Sequence, residues 1–343
     1  MTTSTDLIDT RAVGSWIEGL DIDVQGELSF RRIGAGQSNL TFLVEDEAEQ
    51  CWILRRPPLG KLLASAHDVE REHRILSALQ GTDVPTPVTH GLTTDPAVTD
   101  APIMLMDFVP GRVTDAMASV QELSEDHRGR IGTSLARTLG RVHAVDLDET
   151  GLTTLASHQP YAQRQLRRWH RQWEESHTRD LPLIDDLARR LADRVPEQTE
   201  VRLVHGDFHL MNVITHAQDG DVVAVIDWEL STLGDPLADL GGLLAYWPQA
   251  DDEHVTGFAG PTLPGFPNRD SLVDTYAEAT GRDVSAVDYW HILGLWKIAI
   301  ISEGVLRRAQ DEPRNTSVSG LADPSIVEHL LARADREARQ AGW

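Results

Sequence analysis

The sequence predicts an α+β fold with a small β-rich N-terminal part and a larger, mostly helical C-terminal part. Up to about residue 106, apolar residues mostly alternate with polar ones, which is the period of half-buried strands. Beyond that point, apolar residues recur three and four positions apart, which is the spacing of amphipathic helices. A chain of 343 residues also exceeds what one small core fills, so we expect two domains.

The N-terminal part is predicted to begin with three strands. Apolar residues alternate over 28–33, resume over 40–44 and form a third run over 51–54. A helix is predicted at 66–80, where one face is apolar and Gly81 follows as a stop signal.

A short apolar strand at 103–106 and a turn after it mark the predicted domain boundary. We assign 1–106 to the N-terminal domain and 107–343 to the C-terminal domain, with a hinge at about 106–111. Helices are predicted in the C-terminal domain at 124–145, 160–176, 182–194, 271–280, 285–309 and 324–340. A strand-rich island interrupts them at 201–205, 213–214 and 222–227.

Composition excludes several classes of protein. The formal net charge is −23, and unselective nucleic-acid binding needs a basic face instead. The single cysteine rules out a disulfide within the chain and a thiolate metal cluster. The N-terminal residues lack the pattern of a signal peptide, and no apolar run reaches membrane-spanning length, so we expect a cytoplasmic protein.

An acid and an amide lie five positions apart in the motif HGDFHLMN, residues 205–212. On a loop, Asp207 and Asn212 can converge on one point. In phosphoryl transfer, an aspartate accepts the proton of the attacking hydroxyl and an amide oxygen helps to hold magnesium. Gly206 permits a backbone geometry that a side chain would hinder.

A second acid, Asp227, lies at the exit of the apolar run VVAVI, twenty residues after Asp207. Magnesium takes hard oxygen ligands and is usually held by one or two carboxylates together with nucleotide phosphates. Asn212 and Asp227 suit that requirement. The two motifs in this order, with a short hairpin predicted between them, indicate phosphoryl transfer.

HGDFHxxN followed by IDWE resembles the aminoglycoside phosphotransferase superfamily, which also contains choline and homoserine kinases. The segments GAGQSNLTF, ILRRPP, DVEREHRIL, IMLMDFVPG and GDPLADL extend the resemblance over residues 30–245. The sequence of these segments is similar to the kinase-like domains associated with acyl-CoA dehydrogenases and to their free-standing actinobacterial relatives. The resemblance implies a two-lobed protein-kinase-like fold with ATP between the lobes. It also implies transfer of the γ-phosphoryl group of Mg-ATP to the hydroxyl of a small molecule, either aminoglycoside-like or hydroxyacyl-CoA-like.

The resemblance also implies roles for individual residues. Asp207 is the expected catalytic base, and Asn212 and Asp227 are the expected metal ligands. The expected nucleotide-binding residues comprise a phosphate loop, an ion pair and a hinge that contacts adenine: Gly34, Gly36, Gln37, Ser38, Asn39, Arg55, Glu72, Met106, Asp107, Phe108 and Val109.

The sequence departs from the family pattern at two positions. Arg55 stands where many relatives have a lysine. Arginine is always charged and binds phosphate through two hydrogen bonds, so it can take the same role at the nucleotide. Lys61, six residues on, is an alternative. Asn39 stands where a third glycine is expected. Of the two acids on the 66–80 helix, position favours Glu72 over Glu70 as the partner of Arg55.

Two alternative functions stay open at this stage. A pseudokinase would bind nucleotide without turnover, although the set of Asp207, Asn212 and Asp227 argues against it. A zinc hydrolase could use His205 and His209 around Asp207, but it would leave the glycine loop and Arg55 unexplained.

Three further features of the C-terminal domain carry expectations. Asp235 is expected to cap the helix that follows it, and Asp239 could contact the predicted catalytic loop. The basic run 164–171 could meet an anionic group or form a solvated helix face.

Overall fold

The computed structural model describes residues 7–33, 39–58, 68–114, 116–156, 160–254, 258–311 and 323–343. Chain contacts divide the protein into two units, one made of Met1–Gly111 with Val223–Glu229 and the other of Arg112–Val222 with Leu230–Trp343. The sequence-based division places residues 223–229 in the C-terminal domain instead. The assignment of the two parts as functional lobes stays a prediction.

The first unit contains a five-stranded antiparallel sheet with strand order β1-β2-β3-β5-β4. Its elements are α1 (Thr10–Glu18), β1 (Ser29–Ile33), β2 (Leu40–Glu45), β3 (Cys51–Arg56), α2 (Val69–Leu79), β4 (Thr89–Thr93) and β5 (Ile103–Asp107).

The two faces of this sheet have different surroundings. Phe42, Leu54 and Leu105 are cross-strand neighbours on β2, β3 and β5, and all three are buried. They belong to the same apolar cluster as Ile17 of α1. Because successive side chains in a strand point to opposite faces, Arg55 lies on the other side of the sheet, where α2 packs.

The second unit is mostly helical. Its elements are β6 (Arg112–Val113), α3 (Met117–Gln121), α4 (Glu125–Ala144), α5 (Tyr161–Ser176), α6 (Pro182–Ala192), β7 (Arg202–Val204), β8 (Val213–Thr215), β9 (Val222–Val225), β10 (Thr232–Gly234), α7 (Leu237–Ala245), α8 (Arg269–Thr280), α9 (Val287–Asp311) and α10 (Ser325–Gln340). Strand β6 pairs with β8 and β7 with β10, both antiparallel. Only Val222 of β9 belongs to this unit, because the chain passes to the first unit at Val223.

Helix α9 lies at the centre of the second unit and packs against α5, α6, α7 and α10. Its crossing with α7 is close because both helices have a glycine there. A Cβ on Gly241 of α7 would lie 2.2 Å from the carbonyl carbon of Trp290, and one on Gly294 of α9 would lie 3.0 Å from the Gly241 oxygen. Lys297 follows Gly294 by three residues and therefore lies on the same side of α9.

The predicted β-rich N-terminal part and mostly helical C-terminal part are confirmed. Sequence reasoning did not find α1, β4, β6, α3 or β10. The strand predicted at 222–227 ends at Val225, and α7 begins at Leu237, with Pro236 at its N-cap position rather than Asp235. The Asp235 carboxylate still accepts the Leu237 N–H, at 3.0 Å. Among the described helices, none is both long enough and apolar enough to cross a bilayer.

Candidate active site

The HGDFHLMN motif forms a loop that begins directly after β7. Gly206 has a φ of +84°, a left-handed conformation that side chains disfavour. A Cβ at this position would also lie 2.6 Å from the carbonyl oxygen of Leu230. The turn that leads to Asp207 therefore requires glycine on two independent grounds.

The buried carboxylate of Asp239, on α7, holds this loop. Its Oδ2 accepts the backbone N–H of His205 at 2.6 Å, and its Oδ1 accepts that of Gly206 at 2.8 Å. His143 Nε2 also approaches Oδ2, at 3.3 Å. Burial acts against the charge, but the hydrogen bonds from His143 and Gly206 outweigh it and lower the pKa of Asp239. The contact to the loop that the sequence left open for Asp239 is thus present.

Asp207 is surrounded by hydrogen-bond donors. His209 Nε2 lies 3.3 Å from Asp207 Oδ2, and Asn212 Nδ2 lies 3.2 Å from the same oxygen. Tyr246, at the end of α7, also bonds to this carboxylate. Burial alone would raise the pKa of Asp207, but the His209 hydrogen bond and the charges of His209 and Lys297 lower it well below its usual range. Asp207 is therefore an anion at neutral pH.

Asn212 has a fixed amide orientation. Its Nδ2 donates to the backbone oxygen of Asp207 at 2.9 Å as well as to the carboxylate. The amide oxygen is therefore turned away from Asp207. The role of Asn212 as a metal ligand stays a prediction.

The lone pairs of the two histidines in the motif are engaged by the backbone. His205 Nδ1 accepts the N–H of Asp207, and His209 Nδ1 accepts that of Met211, both at 3.3 Å. Neutral His209 therefore carries its proton on Nε2, pointing at Asp207. Zinc binding needs an imidazole lone pair directed at the metal. In the described part of the chain, no group of three or more His, Cys, Asp or Glu residues could hold a metal ion. The zinc hydrolase alternative loses its support.

A buried network centred on Arg55 lies in the first unit. Arg55 Nη1 bonds to Glu72 Oε1 at 2.6 Å, and Nη2 bonds to Asp227 Oδ1 at 2.7 Å. Burial acts against the cation, but the carboxylates of Glu72 and Asp227 raise the pKa of Arg55. Asp227 has a φ of +69°, which is uncommon for a residue other than glycine and occurs often at functional sites. Of the two acids on α2, Glu72 rather than Glu70 is thus the partner of Arg55.

Asn39 extends this network. Its Nδ2 donates to Glu229 Oε2 at 3.0 Å, which links the last residue of the predicted phosphate loop to the segment after Asp227. The remaining predicted loop residues Gly34, Gly36, Gln37 and Ser38 lie outside the described residues, as does Lys61.

The predicted hinge residues lie at the end of β5. Met106 is buried, whereas the Phe108 side chain is 42% exposed. Asp107 Oδ1 lies 2.6 Å from His90 Nε2. Adenine contact by Met106–Val109 stays a prediction.

Two residues beside Asp207 were missed by sequence reasoning. The Tyr246 ring lies against the His209 ring in a tilted arrangement, with centroids 4.5 Å apart, and nothing in its sequence context signals this. Lys297 donates to the backbone oxygen of Gly206 at 2.8 Å. The composition did set Lys297 apart, because lysine is rare in this chain: 29 of the 31 Lys and Arg residues are arginines.

The sequence profile described as the phosphotransferase enzyme family matches residues 29–290. The chain belongs to this family. The resemblance drawn from the motifs is therefore confirmed.

Several curated relatives are acyl-CoA dehydrogenase family members. Member 10 of Mus musculus is 33% identical over 343 residues, a match that covers 97% of this chain and 32% of the relative. Member 11 of Gallus gallus is 34% identical over 292 residues, which covers 82% of this chain and 37% of the relative. The chain thus spans about a third of the length of these relatives.

Solved structures confirm the kinase-like fold of this family. A Ralstonia eutropha protein provisionally described as an aminoglycoside phosphotransferase has 29% identity and a TM-score of 0.78, covering 96% of this chain and 99% of that one. An aminoglycoside phosphotransferase solved with GDP and kanamycin has 16% identity and a TM-score of 0.62, covering 96% of this chain and 98% of that one. A Plasmodium vivax ethanolamine kinase has 12% identity and a TM-score of 0.57, covering 90% of this chain and 81% of that one. The last two comparisons bear on the fold alone.

Proposed function

We propose that this protein is an ATP- and Mg²⁺-dependent kinase that phosphorylates the hydroxyl group of a small molecule. The observation that carries the proposal is the state of Asp207, an anionic carboxylate on a glycine-dependent loop that Asp239 anchors. In this proposal Asp207 orients the acceptor hydroxyl and takes its proton. A group in this role must be charged before the reaction begins, and the donors around Asp207 keep it so.

The residues available to magnesium suit it chemically. Asp227 offers a carboxylate whose side chain is 28% exposed, and Asn212 offers an amide oxygen turned away from Asp207. Both are the hard oxygen donors that magnesium prefers. Bound Mg²⁺ would neutralise charge on the nucleotide phosphates. Arg55 is placed by its two ion pairs to contribute a fixed positive charge on the nucleotide side.

The acceptor belongs to one of two classes. Relatives named as acyl-CoA dehydrogenase family members favour a hydroxyacyl-CoA-like metabolite, and the relative solved with kanamycin favours an aminoglycoside-like one. The alternative without turnover is a nucleotide-binding pseudokinase.

The test is a thermal-shift and ADP-release assay with ATP and Mg²⁺ against aminoglycosides, macrolides, choline-like alcohols and hydroxyacyl-CoAs. We expect stabilisation by Mg-ATP and ADP release with one acceptor class. Asp227→Asn should abolish the Mg²⁺-dependent part of the stabilisation. Stabilisation without transfer to any acceptor would favour the pseudokinase, and no stabilisation by Mg-ATP would reject both kinase-like functions.

A further inference from the structure

Lys297 has hydrogen-bonding capacity that the described residues do not use. Its Nζ donates to the Gly206 carbonyl at 2.8 Å and lies 5.4 Å from the centre of the Trp169 ring. An ammonium group carries three N–H donors. Within the described residues, the Gly206 oxygen is the only hydrogen-bond acceptor found for it. Two donors are therefore left over.

These donors lie next to the predicted catalytic base. A small cavity of about 30 Å³ is lined by Lys297, Asp207, Tyr246 and Gln165, among other residues of the second unit. The close crossing of α7 and α9 at Gly241 and Gly294 brings the lysine to this place. The cavity has room for about one small polar group, and Asp207 and Lys297 both line it.

Charged groups of both signs lie near Lys297. Burial lowers the pKa of Lys297, while the negative charges of Asp207 and Asp239 act in the opposite direction. The Arg168 guanidinium lies 5.1 Å from the centre of the same Trp169 ring. Lys297 and Arg168 thus both lie near the Trp169 ring, and the carboxylates of Asp207 and Asp239 balance their charge.

We propose that Lys297 binds the acceptor, holding a carboxylate or carbonyl oxygen of the molecule whose hydroxyl group lies at Asp207. The proposal rests on the proposed kinase function and narrows its acceptor class. Acceptors with an acid or acyl group are favoured, because they accept the spare N–H donors. Polyamine sugars are disfavoured at this position, because an ammonium group has no lone pair that could accept the spare N–H donors of Lys297.

The binding arm of the test uses the scarcity of lysine. The chain contains only Lys61 and Lys297, so protein labelled with ¹³C at lysine Cε gives two signals, which Lys61→Arg assigns. The probes are 6-hydroxyhexanoate, its methyl ester and 6-aminohexan-1-ol, together with shorter homologues. We expect the acid or the ester to shift the Lys297 signal and the amino alcohol to leave it unchanged. The acid and the ester separate a carboxylate from a neutral carbonyl as the group recognised.

The kinetic arm compares Lys297→Met and Lys297→Arg with Arg171→Met, a control on the exposed face of α5. Loss of a hydrogen bond to a charged group should raise KM for the preferred acid or ester about 10- to 100-fold in Lys297→Met. The KM for the amino alcohol and the affinity for Mg-ADP should both stay unchanged in this variant. Lys297→Arg should recover part of the loss, and Arg171→Met should behave as wild type.

The outcomes separate this proposal from the function on which it rests. Equal use of acids and amino alcohols by the wild type would overturn it, and so would an unmoved Lys297 signal with every probe. An equal fall in kcat for all acceptors at constant KM would also overturn it and leave Lys297 as a support for Gly206. Absence of Mg-ATP-dependent transfer to any acceptor would instead contradict the kinase function, and the NMR arm would still decide whether Lys297 binds the probes.

Discussion

The two acids predicted to carry the chemistry are held in different ways in their two units. Asp227 forms an ion pair with Arg55, a permanent cation, at 2.7 Å. Asp207 is surrounded by the donors of His209, Asn212 and Tyr246. A carboxylate in a direct ion pair with arginine has its charge neutralised until something displaces that cation. A carboxylate held mainly by hydrogen-bond donors keeps its charge, and the nearby Lys297 charge favours the same state at Asp207. The first arrangement suits an exchangeable metal ion, and the second suits a base.

The largest effect is expected from removing the charge of Asp207. Asp207→Asn keeps the size of the side chain but cannot take the hydroxyl proton, so we expect kcat to fall about 10³- to 10⁴-fold. Affinity for Mg-ADP should change less than threefold, because the variant keeps the nucleotide side intact. Isothermal titration and single-turnover transfer measure the two quantities. Near-normal turnover would show that Asp207 is not the base.

A second large effect is expected at Asp239, which anchors the Asp207 loop. Asp239→Asn has one acceptor oxygen for two backbone N–H groups and carries no charge. The free energy of unfolding should fall by about 4 kcal/mol, since hydrogen bonds to charged groups are lost. Urea denaturation measures it, with Asp270→Asn at an exposed helix start as the control. A loss below 1 kcal/mol would mean that the loop does not depend on this anchor.

Asp235 is a third carboxylate, and it is buried in the second unit. Its oxygen accepts the Leu237 N–H, and within the described residues no arginine or lysine forms an ion pair with it. Burial, opposed by the Leu237 N–H, raises the pKa of Asp235 from 3.8 to about 6. A raised pKa means that the folded state binds this proton more tightly than the unfolded state does. Its stabilising contribution is therefore complete below about pH 4 and is lost as the pH rises through 6.

The measurement for Asp235 is the difference in unfolding free energy between wild type and Asp235→Asn at several pH values. From about pH 3.5 to pH 6.5 the wild type should lose about 3 kcal/mol relative to the variant. A difference that stays constant with pH would contradict the raised pKa of Asp235. A difference that grows in favour of the wild type as the pH rises would mean that the pKa is lowered instead.

The smallest effect is expected at Arg55. Lysine in its place can pair with Glu72 but cannot bridge to Asp227 in the same bidentate manner. Without metal, Arg55→Lys should be about 1–2 kcal/mol less stable, and Asp227 should become more available. The Mg²⁺ concentration for half-maximal nucleotide binding should therefore fall by about tenfold, which is about 1.4 kcal/mol. Nucleotide binding at increasing Mg²⁺ concentration can be followed by tryptophan fluorescence, with Arg31→Lys on β1 as the control. An unchanged or higher Mg²⁺ requirement would contradict this account of the Arg55 network.

The sequence predicted what local pattern controls. Strands β1 to β3 and helices α2 and α4 follow from apolar periodicity, and Asp207, Asn212 and Asp227 follow from short motifs. Helix α1 was missed although its local signals are present, because Asp9 caps its N-terminus and Val13 and Ile17 recur four positions apart on its buried face. The position of Lys297 depends on how closely α7 and α9 cross, a tertiary distance that periodicity does not encode.

The presence of arginine at position 55 has a consequence for chemical profiling of nucleotide-binding proteins. Reactive ATP analogues that acylate a lysine amine depend on a nucleophile that can lose its proton. At this strand position they would meet a guanidinium that stays protonated in proteins and is held by two carboxylates. A survey built on lysine acylation at this position would pass over this enzyme and any relative that shares the arginine.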